Sequence, residues 1–416
     1  TQAVGQLPGY PEPVLISPDG VVSGYYLKGD GLDDVAVVAL LSFEPELPAT
    51  FQATVHDFFQ QAKADGKKKL VIDVQGNGGG YILLGYDFYR QLFPQIQEDG
   101  YSRWRENSGF NAISKVFSDE SAHVDPFTSG DNDAINDYLT WFNYRYDLNL
   151  TLENFLTFED KFAPHEFKNT EYTALMRWNL SDPLTTLNET YGAGIEISGY
   201  GSLKNLTQPF AAEDIVLLYD GVCASTCTLA SEMLRIQGGV KSVGFGGRPN
   251  NGPIQGVGGV KGSQVLQFNN IYQYAQRAMQ LTKDPKKLEA LGQYNDYAIR
   301  RSTAGGVNVR DQILRGNVND GLPAQFVVED VDCRLYWTEA MASDMNAVWG
   351  AAAQSAFNNK KCANGGIKHS GGSKARAEVD AKFEKRASML AQVDYSKAPP
   401  IESAEWQAIH LLSAIP

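Results

Sequence analysis

The sequence predicts a mixed α/β fold, a mixed β-sheet core with helices, and three observations carry that expectation. Two short β-rich runs, residues 70–74 (apolar except for Asp73) and the apolar 215–219, lead into glycines or Asp-Gly, as buried strands do. Residues 50–65 place Phe51, Val55, Phe58, Phe59 and Ala62 at helical spacing. Strand and helix patterns alternate from the start of the chain to about residue 92, which is the signature of a layered α/β core.

The elements follow in order. Residues 14–17 and 21–27 read as strands around the turn triplet Pro18-Asp19-Gly20. Residues 35–43 form a β-rich run. Helix 50–65 leads through the solvated Lys67-Lys68-Lys69 into strand 70–74, and 81–92 is helical again. Residues 93–214 differ: they are rich in aromatics, Asn, Asp and Glu, with weak periodicity. They are expected to form an insertion over the core, a lid or a dimer surface. Strand 215–219, helix 226–235 and strand 240–245 resume the core pattern. A glycine-rich loop spans 244–262. Residues 265–301 carry helix signals broken at Asp284-Pro285, and 326–331 reads as a strand. Residues 364–374 read as a Gly/Lys/Ser linker, with a charged surface helix to Arg386 and a terminus docking through Trp406, Ile409 and Leu411. The expected parts are 1–92 and 215–345 as two pieces of a catalytic core, 93–214 as an insertion, and 346–416 as an extension.

Composition narrows the function. A net charge of −13 and a pI near 4.9 argue against nucleic acid or an anionic membrane as partner. No apolar run reaches membrane-spanning length. Sequons stand at Asn149, Asn179, Asn188 and Asn205 within one hydrophilic region, which predicts a secreted, extracellular glycoprotein. The chain has four cysteines, Cys223, Cys227, Cys333 and Cys362. Their spacing lacks a Cys-x-x-Cys pair or an adjacent His, so a metal site is poorly supported. Of the three possible connectivities we favour Cys223–Cys227 and Cys333–Cys362, the alternative being free buried thiols.

The chemistry concentrates at residues 215–232, IVLLYDGVCASTCTLASE. Ser225 stands between a strand end and a helix start. There its hydroxyl can be exposed as a nucleophile beside the free N–H groups of the helix N-terminus. The bland alternative is an ordinary N-cap serine. Residues 70–80, LVIDVQGNGGG, run a second strand into glycines. Tyr81 stands where a dinucleotide fingerprint needs its third glycine, and no Gly-Lys-Ser/Thr follows. A glycine loop with free N–H groups and no phosphate signature suits an oxyanion.

The segment VIDVQGNGGGYILLGYDFYRQLFP resembles the Asp-x-x-x-Asn-x-Gly-Gly segment of the S41 serine peptidases, the tail-specific protease clan. DGVCASTCTLASE resembles the segment carrying their nucleophile. GYPEPVLISPDGVVSGYYL, GGRPNNGPIQGVGGVKG and EDVDCRLYWT resemble the fungal secreted branch, related to chlamydial protease-like activity factor. The resemblance implies a ClpP/crotonase-like core and endopeptidase activity with Ser225 as nucleophile. Neither a metal nor an organic cofactor is needed. Thr226 N–H and a glycine, Gly78 or Gly79, are the expected oxyanion donors. Glu329 is the candidate for orienting a histidine, with Asp330 and Asp332 as rivals and a surface carboxylate or a salt bridge to Arg334 as the plain alternative.

The base is the difficulty. The lysine segment of the bacterial branch aligns near residues 246–251, where position 250 is Asn. Lys261 lies further along, so a Ser-Lys dyad is in doubt. None of the five histidines, His56, His123, His165, His369 and His410, lies in the family's His segment, which normally precedes GYPEPV. The expectation is therefore a processed zymogen: this chain, starting at Thr1, is the C-terminal part, and an N-terminal chain of the same precursor supplies the histidine. A protein or peptide substrate and a possible homodimer complete the expected partners. The rival functions are an α/β-hydrolase-like esterase using Ser225, Glu329 and His369, and a non-catalytic binding protein with a protease fold. Against the esterase, residues 223–227 lack both glycines of the nucleophile elbow.

Overall fold

A computed structural model describes residues 5–258, 261–296 and 305–367. The expected linker beyond residue 367, the charged helix to Arg386, the docking residues Trp406, Ile409 and Leu411, and His369 and His410 lie outside the described residues.

The core is one eight-stranded mixed sheet. Its strands are β1 (Leu15–Ile16), β2 (Val22–Tyr26), β3 (Val35–Leu40), β4 (Lys69–Asp73), β8 (Ile215–Tyr219), β9 (Lys241–Phe245), β12 (Cys333–Leu335) and β13 (Asn364–Gly365), paired in that order. The pairs from β3 to β12 are parallel, and the outer pairs are antiparallel. Every residue of β3 and β8 is buried, because helices cover both faces of the parallel centre. On one face α1 (Pro48–Ala64), α2 (Ile82–Leu92) and α6 (Thr226–Glu232) close a core that includes Phe51, Phe58, Phe88 and Leu217. On the other, α9 (Met345–Phe357) sets Trp349 and Val348 against Val37, Val71 and Val216. The α/β expectation holds.

Residues 93–214 do not stand apart as a separate cover. Their β5 (Tyr101–Trp104) pairs with β11 (Gly306–Ile313), which pairs with β10 (Gly262–Gln267). Helices α3 (Ser108–Glu120), α7 (Phe268–Leu281) and α8 (Pro285–Gly292) share a hydrophobic cluster with Trp104, Phe142 and Met176. Buried Asp147 binds Arg310 of β11 at 2.7 Å and Lys161 at 2.8 Å. Residues 101–176 thus form one lobe with residues 262–296 and 305–313, although they are far apart in sequence, while Leu180, Ile195, Ile197 and Phe210 pack into the main core.

Three local expectations are corrected. Residues 326–331 are not a strand: a 3₁₀ turn, Ala324–Phe326, is followed by extended chain with one isolated bridge, Gln255 to Asp330. The strand comes later, at β12, where Cys333 pairs with Val243. Residues 265–267 belong to β10 and not to a helix, since their partners 306–308 lie outside any local window. Asn364 and Gly365, read as linker, add an edge strand to β12.

Candidate active site

Strands β4 and β8 are parallel neighbours, so the loops leaving their C-terminal ends meet above the same sheet edge. Ser225 sits where the β8 loop turns into α6. Its backbone lies at φ 51°, ψ −121°, a region that side chains rarely occupy and that stores strain of about 1–3 kcal/mol. Its side chain makes no capping bond. The ordinary N-cap alternative is therefore wrong: a capping serine has extended backbone and bonds an N–H in the first turn. The Cys223–Cys227 disulfide closes round this turn. Helix α6 runs on as a π turn, Met233–Gln237.

The glycine loop packs directly on that turn. Gly79, at φ 101°, would put a Cβ 2.7 Å from Ser225 Cβ and 2.9 Å from Thr226 N. Only glycine fits there. Thr226 Oγ1 donates to Gly80 O at 2.7 Å, and Ala224 N–H donates to Asn77 O at 3.2 Å. The Asp220 carboxylate accepts from Gly76 N–H and from Val222 N–H, both at 3.0 Å. Gly79 N–H is spent on Asn77 Oδ1 at 2.9 Å, so it is not a free donor. Gly78 and Thr226 keep N–H groups without a hydrogen bond among the described residues. Of the two expected glycines, Gly78 therefore suits an oxyanion, together with Thr226.

Glu329 is buried, and its Oε2 accepts from Lys261 Nζ at 2.7 Å. Arg235 lies 3.8 Å from its Oε1. Lys261, set aside from the sequence, is itself buried and also donates to Val327 O at 2.9 Å. Glu232 of α6 joins them. Burial first, and then the Glu329 charge, hold its carboxyl well above the usual range. Gln312 Nε2 donates to its Oε2. The rivals for Glu329 have other work. Asp332 accepts from Ser242 and pairs with Lys241 at 3.3 Å, while the Asp330 carbonyl accepts from Arg235 at 2.8 Å. Arg334 bridges none of these acids. Its guanidinium instead donates to the carbonyls of Gly246, Arg248, Asn250 and Gly252, and so moulds the glycine-rich loop. The Lys261–Glu329 and Glu232 contacts were beyond sequence reasoning, because four separate segments converge there.

Ser225 Oγ makes no hydrogen bond among the described residues. His56 lies half-buried on α1, His123 is exposed after α3, and His165 is exposed on β6 (His165–Phe167). The second disulfide, Cys333–Cys362, ties β12 to the segment leading into β13. All four cysteines are therefore paired as favoured. Asn149, Asn179 and Asn188 are half-buried and Asn205 is exposed, so none of the sequons is enclosed. At the first three the side-chain oxygen accepts local N–H groups.

A strained serine at a strand-to-helix turn, faced by a glycine loop with free N–H groups, is the arrangement expected of a serine hydrolase. The chain is 32% identical over 378 residues to the peptidase S41 family protein ustP of Aspergillus flavus, covering 85% of this chain and 75% of that one. It belongs to the peptidase S41 family. The S41 family protein phomP1 of Diaporthe leptostromiformis is 29% identical over 397 residues, and the chain spans 56% of its length. Among solved structures, mature CPAF has a distant likeness, with a TM-score of 0.37 and 12% identity over 94% of this chain and 58% of that one. No protein-family model matches the chain.

Proposed function

We propose that this chain carries the nucleophile of a secreted serine endopeptidase of the S41 type. The observation that supports the reading most is Ser225 itself: a non-glycine residue at φ 51° with an uncapped hydroxyl, next to the free N–H of Thr226. In the reaction, Ser225 Oγ attacks the peptide carbonyl and passes its proton to a base. Thr226 N–H and Gly78 N–H receive the oxyanion. The C–N bond breaks, the protonated amine leaves, and water releases the acyl group from Ser225.

The base is the histidine of an N-terminal chain of the same precursor. Two features favour this over an internal base: the open hydrogen-bonding positions of Ser225 Oγ, and the engagement of Glu329 and Lys261 with each other at 2.7 Å. Secretion rests on two disulfides and four accessible sequons. Among the described residues no helix is long and apolar enough to cross a membrane. The test is a fluorophosphonate probe on enzyme purified from its native source, with the labelled peptide sequenced by mass spectrometry. Labelling at Ser225, with a second chain in the intact mass, supports the reading. Labelling elsewhere, or none, defeats it. Glycosidase treatment of the same material should lower the chain mass by the glycans at the sequons.

A further inference from the structure

The glycine loop has a mechanical problem that its sequence creates. Gly76, Gly79 and Gly80 all have positive φ, at 69°, 101° and 141°. With Gly78 they leave Asn77 as the one side chain between Gln75 and Tyr81. Such a stretch has the largest backbone freedom of any composition. An oxyanion donor must nevertheless be held to within about 0.5 Å, so its position has to be imposed from outside.

Several ties do this. Asn77 Nδ2 donates to Leu40 O at 2.8 Å, and Phe43 N–H donates to Gly79 O at 2.8 Å. Those two fasten the loop to the sheet side. Neither reaches the nucleophile's own segment. Three bonds do: Ala224 N–H to Asn77 O, Thr226 Oγ1 to Gly80 O, and Asp220 to Gly76 N–H. Asp220 differs from the other two. Its one carboxylate holds both partners at once, Gly76 N–H through Oδ2 and Val222 N–H through Oδ1, each at 3.0 Å. Val222 opens the bend that continues through Cys223 to Ser225, and Gly76 opens the glycine loop. These are charge-assisted bonds to backbone, the stronger kind.

We propose that Asp220 is a positioning residue that sets the glycine loop in register with the Ser225 turn. The proposal rests on the serine peptidase reading above. Asp220 directly follows Tyr219, the last residue of β8, which is paired with Gly244 of β9. It touches no reacting atom. It acts by fixing the distance between the serine and the donors that face it.

The experiment compares Asp220→Ala and Asp220→Asn with wild type in three measurements: peptide turnover, fluorophosphonate labelling rate, and amide exchange of residues 76–80. Asp220→Ala loses both bonds. It is expected to lower kcat about 10- to 100-fold, as for a small misplacement of a catalytic group, with little change in KM. The labelling rate falls with it, and residues 76–80 exchange faster while α6 keeps its protection. Asp220→Asn keeps one acceptor and is expected to lie between the two. If Asp220→Ala fails to fold, the asparagine variant carries the comparison. Turnover within twofold of wild type, a loss confined to KM, or unchanged exchange at residues 76–80 would each overturn the proposal. A wild-type enzyme whose Ser225 does not label strikes the proposed function instead, and the exchange measurement still reads the tie between the loops.

Discussion

Gly79 lies against Ser225 so closely that a methyl group on its Cα would come 2.7 Å from Ser225 Cβ. Gly78, the next residue back, has open space where its Cβ would be. Neighbouring glycines of one motif thus have different jobs. Gly79→Ala must push the loop off the serine and is expected to lower kcat by on the order of 10²-fold or more. Gly78→Ala keeps its N–H and meets nothing, so its kcat should stay within a few-fold. Steady-state kinetics on both variants checks this, and equal losses would contradict it.

Ser225 allows strain and chemistry to be separated. Ser225→Ala removes the hydroxyl but keeps the Cβ at φ 51°; activity should fall by on the order of 10⁴-fold or more, with stability unchanged. Ser225→Gly should be equally inactive yet more stable by roughly 1 kcal/mol, because glycine accepts this backbone without penalty. Thermal melts of the two variants decide it. Ser231 is buried on α6, and Ser231→Ala should retain activity.

Lys261 and Glu329 should behave as a pair. Lys261→Met leaves a buried carboxylate whose remaining cation, Arg235, stands 3.8 Å away, and should cost about 3 kcal/mol. Adding Glu329→Gln removes the stranded charge and should restore most of that loss. Urea unfolding of the two single variants and the double variant measures the coupling. Additive losses would mean that the two side chains do not depend on each other.

Asp73 gives the fold a pH dependence of known sign. It is fully buried at the end of β4, and burial raises its carboxyl to about 6, against bonds from Trp349 Nε1 and Gln75 N–H. Between the unfolded value near 4 and this folded value, the folded chain keeps a proton that the unfolded chain has lost. Stability therefore falls as pH rises through that window. That displacement corresponds to roughly 3 kcal/mol at most. Asp73→Asn keeps an acceptor for Trp349 and should flatten that part of the curve. The difference between wild type and variant in melts from pH 4 to pH 7 isolates this group.

What the sequence made legible was local. Val71 and Leu217 announced buried strands through short β-rich runs, and Phe51, Val55 and Phe58 announced a helix face. Ser225 and the glycines stood out because they lie in short runs of adjacent residues. The two disulfides followed from cysteine count and compartment. The lobe was not legible, since β5 finds its partner in β11 some two hundred residues later, and no window of sequence contains both. Residues 326–331 misled for the opposite reason. Their β-branched residues suggest a strand, but Glu329 is drawn to Lys261 and the chain keeps only an isolated bridge at Asp330 and one bond from Val331 N–H to Ile254 O, not a ladder. Asp220 read only as a strand breaker, because its partner Gly76 is near in space and far along the chain.

The parallel pairing of β4 with β8 also sets a schedule. Residues 74–214 separate two strands that must lie side by side, and closing a loop of that length costs roughly 4 kcal/mol in chain entropy before any contact repays it. The glycine loop emerges from the ribosome early, yet it has nothing to face until Ser225 has been made and the lobe has folded behind it. The two loops that meet at this edge of the sheet are therefore brought together late in folding, by the order of the strands.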